Sequence, residues 1–80
     1  MLTSHALLQK YRYDARFRFD AVTVWYRDRG AHGDCSSADG PAIIALTDQF
    51  LELRTPHGVT SLPYHRLLRI SCDGDLIWQR

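Results

Sequence analysis

Two polar clusters in the sequence carry side chains that could bind an anion. The first is the run YRDR at residues 26–29, and the second is PYHR at residues 63–66. Arginine presents a planar fork of N–H donors that matches a phosphate group. The functional interpretation of the first cluster is that Asp28 holds Arg29 so that its fork faces a phosphate. That of the second is that His65 and Arg66 act as a pair of donors for an anion.

Each cluster also has an ordinary structural explanation. YRDR can be a solvated strand exit with a weak surface ion pair, and the residues alone favour that explanation. PYHR can be a crossover stiffened by Pro63, in which His65 donates to a backbone carbonyl group; here the two explanations are evenly balanced. Aromatic residues beside arginines suit single-stranded RNA ends, and Tyr64 or Trp78 would supply the stacking surface.

Other kinds of site have no support in the sequence. The four histidines do not pair with one another or with a cysteine at zinc-ligand spacing, so no metal or cofactor is expected. The phosphate-binding glycine motifs, the serine-nucleophile elbow and the paired H-x-[ST] elements of two-histidine phosphoesterases are missing. The two polar clusters therefore remain as the candidate sites.

The charges are unevenly spread along the 80 residues. The net charge is only +1, and nine of the ten basic residues are arginines. Residues 1–29 carry a net charge of +3, residues 30–53 of −4 and residues 54–80 of +2. If the two basic segments meet in the fold, they form a local positive patch despite the small total.

The spacing of apolar and turn-forming residues predicts one short helix followed by five or six short strands. The helix is expected at 3–12, and the strands at 19–27, 42–46, 49–55, 59–62, 67–72 and 76–78. Residues 30–41 are expected to be a flexible loop, and Asp73-Gly74 a hairpin turn. This order predicts a single α+β domain over 1–80, with the helix packed on a curled antiparallel sheet or small open barrel of about five strands.

Two strand faces follow from the alternation of side chains. Val22, Val24 and Tyr26 share one face of the first strand, and Trp25 is expected to point outward from it. In the strand at 67–72, the shared face is expected to hold Leu68, Ile70 and Cys72.

The cysteines and the first residues of the chain bear on its location. Cys35 and Cys72 lie far apart and form no disulfide framework. The run MLTSHALLQK does not have the pattern of a signal peptide, and no apolar run is long enough to span a membrane. We therefore expect a cytoplasmic protein with reduced thiols that does not act at a membrane.

Four motifs in order resemble the RNA cyclic-group end-recognition family, a small domain associated with RNA repair and processing. The matching pieces are Tyr13-Asp14, YRDR at 26–29, LPYHRL at 62–67 and GDLIWQR at 74–80. The family usually has tryptophan where this chain has Tyr13, and the glycine-rich segment after Arg29 is long. The resemblance covers nearly the whole chain.

The resemblance implies a non-catalytic RNA-binding module that senses processed RNA ends such as a 2′,3′-cyclic phosphate. Its partners would be RNA 3′ ends and an RNA-processing enzyme. Carried over by motif, the implied site residues are Tyr26, Asp28, Arg29, His65 and Arg66, with Arg80 and Tyr13 at its margin, and Tyr64 joins them as a stacking ring. The alternatives are a small phosphoesterase that uses His65 and a protein adaptor that binds through an exposed strand edge.

Overall fold

The helix lies where the sequence predicts it. In the computed structural model, which describes residues 3–80, α1 spans Ser4–Tyr13. The Thr3 hydroxyl caps it by accepting a hydrogen bond from the Ala6 amide at 3.1 Å. Leu7 and Leu8 lie on its buried face. A ten-residue helix is marginal alone, so this buried face is what holds it in place.

Seven strands form two antiparallel sheets. The strands are β1 (Val22–Arg27), β2 (Cys35–Asp39), β3 (Ile43–Leu46), β4 (Phe50–Thr55), β5 (Gly58–Pro63), β6 (Leu67–Cys72) and β7 (Asp75–Gln79). The first sheet has the order β2-β1-β6-β7, and the second has the order β3-β4-β5. The α+β prediction is confirmed. The expected single curled sheet or open barrel of about five strands is instead two separate sheets.

One core joins the helix and both sheets. Val22 and Val24 of β1 are fully buried, and so are Leu51 and Leu53 of β4. Leu8 closes the core from the helix side. The predicted inner face of β1 is confirmed, since Tyr26 also packs against this core. Each fully buried aliphatic side chain stabilises the fold by about 1.5–3 kcal/mol.

The predicted loop at 30–41 is wrong for residues 35–39, which form β2. This strand pairs with β1 over its whole length, from Cys35 opposite Arg27 to Asp39 opposite Thr23. Its sequence CSSAD has no β-branched or aromatic residue, which is why it does not read as a strand. The first strand begins at Val22 and not at residue 19 as predicted, because Phe19–Ala21 form a 3₁₀ turn before β1.

Strand β6 contains an irregularity that changes which of its side chains are buried. Trp25 pairs with Arg69, but its neighbour Tyr26 pairs with Leu67, so Leu68 is an extra residue in the ladder. Leu67 is therefore buried and Leu68 is not, contrary to the predicted face.

The turn between β6 and β7 is confirmed. Asp73 and Gly74 both have positive φ, 52° and 84°, which is the conformation of a type I′ hairpin turn. Within residues 3–80, the structure contains no helix long and apolar enough to cross a membrane.

Candidate functional site

The candidate site forms where three strand ends meet. In the first sheet β6 lies between β1 and β7 and is antiparallel to both. The end of β1, the start of β6 and the end of β7 therefore lie at the same edge. This arrangement brings residues 27–29, residues 65–66 and Arg80 together, although they come from the two basic segments at opposite ends of the sequence.

Side chains from these three strand ends line one open cavity of about 640 Å³, here called the arginine groove. Its lining residues are Arg27, Asp28, Arg29, His65, Arg66, Leu68 and Arg80. Four arginines against one aspartate give the groove three more positive than negative charges, while the whole chain has a net charge of only +1. The groove is thus a local positive site of the kind that attracts a phosphate.

Two of the arginines are fixed by hydrogen bonds to backbone carbonyl groups. Arg66 donates through Nη2 to the Arg27 carbonyl oxygen at 2.6 Å, which ties the turn before β6 to the end of β1. Arg80 donates through Nε to the Leu67 carbonyl oxygen at 3.0 Å and through Nη2 to that of His65. Arg80 therefore holds the 3₁₀ turn at Tyr64–Arg66 in place.

Arg29 and His65 have donors to spare. Both side chains are exposed at the groove. Neither donates a hydrogen bond to any residue in the range 3–80, whereas the Arg66 and Arg80 side chains do. The bond from the His65 ring to a backbone carbonyl group, which belongs to the structural explanation of PYHR, is therefore not made within residues 3–80. Arg29 and His65 are free to bind a ligand.

Asp28 does not hold Arg29. Its Oδ2 accepts a hydrogen bond from the Ser36 hydroxyl of β2 at 2.7 Å. The two ion pairs among residues 3–80 join Arg16 to Asp14 and Arg18 to Asp20. The expectation that Asp28 orients the Arg29 fork is therefore wrong, because the carboxylate points toward β2.

Tyr26 lies in a second cavity, here called the inter-sheet cleft. The cleft has a volume of about 870 Å³ and separates β1 and β2 from the β4–β5 hairpin. Asp28 and Arg66 line both the cleft and the arginine groove, so the two cavities adjoin at these two side chains. Burial, followed by the negative charge of Asp28, raises the pKa of Tyr26, so its hydroxyl stays neutral.

Two predicted aromatic residues lie elsewhere. The Tyr64 ring packs against the core and against the His5 ring, with centroids 4.7 Å apart. Its hydroxyl donates to the Thr47 carbonyl oxygen at 2.7 Å, so Tyr64 is not positioned as a stacking surface. Tyr13 is exposed at the end of α1 and lines neither cavity. Trp25 is on the outer sheet face as predicted, with the Arg69 guanidinium 4.4 Å from its ring centroid.

The structure thus gathers five of the eight predicted site residues in the arginine groove and puts Tyr26 in the adjoining cleft. Sequence reasoning missed Arg27, although it belongs to the same YRDR run, and Leu68, the half-buried residue at the bulge of β6. It also missed Ser36, for which the only signal would have been the pairing of β1 with β2. Residues 3–80 contain no group of three or more His, Cys, Asp or Glu side chains that could hold a metal ion.

The comparison with known families agrees with the four motifs and with the groove. Residues 1–80 match the model of the family described as MJ1316 RNA cyclic group end recognition domain. No curated protein and no solved structure matched the chain. The description of the family supports RNA-end binding in general, which fits a positive groove with free donors. Since the match covers the whole chain, this protein belongs to the MJ1316 RNA cyclic group end recognition domain family.

Proposed function

We propose that the arginine groove binds the terminal phosphate of processed RNA 3′ ends, including 2′,3′-cyclic phosphates, without catalysing a reaction. The observation that carries this proposal is the meeting of four arginines and His65 around one cavity. Membership of the family supplies RNA as the ligand class. The charge of the groove supplies the preference for an end that carries a phosphate over one that carries a hydroxyl.

The N–H groups of the groove that have no partner in the protein would make the contacts with the phosphate. Arg29 offers its whole guanidinium fork, and Arg66 keeps the donors that its bond to Arg27 does not use. His65 donates one N–H to a phosphate oxygen, and a second site on the ring becomes a donor when the imidazole is protonated. Arg80 adds its charge, but its Nε and Nη2 hold the backbone of the turn, so its main role is to position His65.

Binding without hydrolysis fits the side chains of the groove. A phosphoesterase that works by acid-base catalysis commonly uses one placed side chain as general acid and another as general base. Among the residues lining the groove, His65 is the one histidine, and Asp28 is the one carboxylate. Asp28 is engaged by Ser36. We propose that the module presents an RNA end to a separate processing or repair enzyme.

We infer a cytoplasmic location for this activity. Cys35 and Cys72 are both free thiols, as is usual where the surroundings are reducing. A fractionation experiment with an antibody to the chain tests this inference. Recovery of the protein outside the cytoplasmic fraction would contradict it.

The direct test compares three short RNAs of one sequence that end in a 2′,3′-cyclic phosphate, a 3′-phosphate or a 3′-hydroxyl group. We expect the two phosphate ends to bind more tightly than the hydroxyl end in a fluorescence anisotropy titration. The substitution Arg66→Ala should weaken binding of the phosphate ends by about 1.5–3 kcal/mol, which is roughly 10- to 150-fold in Kd.

Arg69→Ala is the matched control, because it removes the same charge from the outer face of the sheet. We expect it to change the Kd by no more than about twofold. Equal affinity for all three ends, or equal losses in the two variants, would overturn the proposal. Product formed from the cyclic phosphate and abolished by His65→Ala would favour the phosphoesterase instead.

A further inference from the structure

The inter-sheet cleft adjoins the arginine groove but has no part in binding the terminal phosphate. We propose that this cleft holds the last nucleoside of the same RNA end and that Asp28 selects its base. This inference rests on the proposed function and extends it from the phosphate to the base.

The two shared lining residues of the cavities support this placement. In a 2′,3′-cyclic phosphate, the phosphorus and the base are attached to the same ribose, so the base must lie within one nucleoside of the phosphate. The inter-sheet cleft shares Asp28 and Arg66 with the groove. A third cavity, around Arg12 and Phe19, shares no lining residue with the groove. Of these three cavities, the cleft is therefore the one that a base attached to a phosphate in the groove can enter.

The lining of the cleft suits a flat, partly polar ligand. Leu53 and Leu62 form an apolar floor from the second sheet, and Ala38 faces them from β2. Tyr26 adds an aromatic ring, and Ser36 a hydroxyl group. Small-molecule sites commonly place a few polar groups beside apolar surface in volumes of roughly 300–1,000 Å³. The cleft, at about 870 Å³, falls within that range.

Asp28 gives the cleft a means of distinguishing bases. Its Oδ2 is oriented by Ser36, and as a carboxylate it can accept further hydrogen bonds but cannot donate one. Guanine offers two adjacent N–H groups on its Watson–Crick edge, which match the two oxygens of a carboxylate. Uracil offers one N–H flanked by two carbonyl oxygens that repel the same carboxylate. The cleft should therefore favour a terminal guanine over a terminal uracil.

The first experiment uses the unchanged protein and two RNAs that carry the same 3′-phosphate. One has guanine on its last ribose, and the other has no base there. Stacking and hydrogen bonding in the cleft should make the RNA with the base bind about tenfold more tightly or better. Equal Kd values would overturn this inference while leaving the phosphate preference intact. They would be the result expected if the cleft instead takes a peptide strand between the free edges of β2 and β5.

The second experiment measures the ratio of the Kd values for RNAs that end in uracil and in guanine. We expect a ratio of roughly ten for the unchanged protein. Asp28→Asn keeps the shape and the bond from Ser36 but can both donate and accept, so the ratio should fall to near one. Asp48→Asn makes the same charge change at an exposed residue that lines neither cavity, and it should leave the ratio at its original value.

These outcomes separate the two proposals. A ratio near one in the unchanged protein, or equal ratios in the two variants, contradicts base selection by Asp28. Loss of the preference for phosphate ends over hydroxyl ends would instead contradict the proposed function. Melting curves of both variants establish that each is folded before the ratios are compared.

Discussion

At the scale of single residues, the type of a side chain indicates its chemistry, but its partner decides its role. Arg29, His65 and Arg66 could be chosen from the sequence because two short runs concentrate donors at expected strand ends. Asp28 and Tyr64 were assigned roles from the same runs, but each is engaged by a residue outside its run. Asp28 accepts from Ser36, and Tyr64 donates to Thr47. No local pattern specifies a contact that depends on which strands pair.

Tyr64→Phe tests the structural role that replaces the predicted stacking role. Loss of the hydroxyl leaves the Thr47 carbonyl oxygen without this donor, so unfolding in urea should show a destabilisation of about 1 kcal/mol. The Kd for phosphate-ended RNA should change by less than about twofold. A large loss of RNA affinity in a stably folded variant would indicate that Tyr64 contacts the RNA after all.

The same hydroxyl predicts a loss of stability at high pH. Burial raises the pKa of Tyr64 from 10.0 to about 12. In the unfolded chain this tyrosine ionises near pH 10, whereas in the folded protein it stays neutral until about pH 12. Its contribution is thus complete below pH 10 and is lost as the pH rises from 10 to 12. The difference in melting temperature between the unchanged protein and Tyr64→Phe should shrink across that window, and a constant difference would contradict this account.

At the scale of elements, the parts with strong local signals were predicted and the parts that depend on pairing were not. The Asp73-Gly74 turn and the strands beside it carry their own signals, since Gly74 tolerates the positive φ that the turn requires. Strand β2 is a polar edge strand with no such signal. The bulge at Leu68 arises from the register of β6 against β1, which the alternation of residues within β6 alone cannot show.

Gly40→Ala tests whether the glycine-rich segment is as tolerant as a loop would be. A Cβ atom at Gly40 would lie 1.9 Å from the Phe19 carbonyl oxygen, which is backbone and cannot easily move aside. We expect a destabilisation of about 3 kcal/mol, at the upper end of what overpacking usually costs. Gly33→Ala is the control, because a Cβ there meets nothing within 4 Å and only its positive φ is unfavourable. Its cost should be about 1 kcal/mol, and equal costs would argue against the close packing at Gly40.

At the scale of the whole molecule, the position of charge matters more than its total. The sequence shows two basic segments around an acidic one, and the structure brings the basic segments together at one sheet edge. The sequence alone could not establish that the two basic segments meet, because their meeting depends on the strand order β1-β6-β7 in the sheet. The prediction that residues 1–80 form one domain stays a prediction.

The charge of the groove predicts how RNA binding responds to salt. Each phosphate charge neutralised on a single strand contributes about −0.7 to the slope of log K against log salt concentration. Three excess positive charges in the groove therefore predict a slope of about −2. Raising the salt from about 50 to 200 mM should weaken binding roughly 16- to 20-fold in anisotropy titrations. Arg66→Ala should make the slope shallower by about 0.7, and a slope near zero would contradict electrostatic binding.

The bond from Arg66 to the Arg27 carbonyl joins residues 39 positions apart, and Arg80 fastens the turn that carries His65. During translation the N-terminal part of a chain leaves the ribosome first. A nascent chain that has reached only β5 would contain Arg27 and Arg29 but neither His65, Arg66 nor Arg80. It would therefore have the lining residues that β1 contributes but not those that β6 and β7 contribute. Capture of an RNA end should thus be confined to molecules whose synthesis has passed β7, and incomplete products on the ribosome would leave RNA ends untouched.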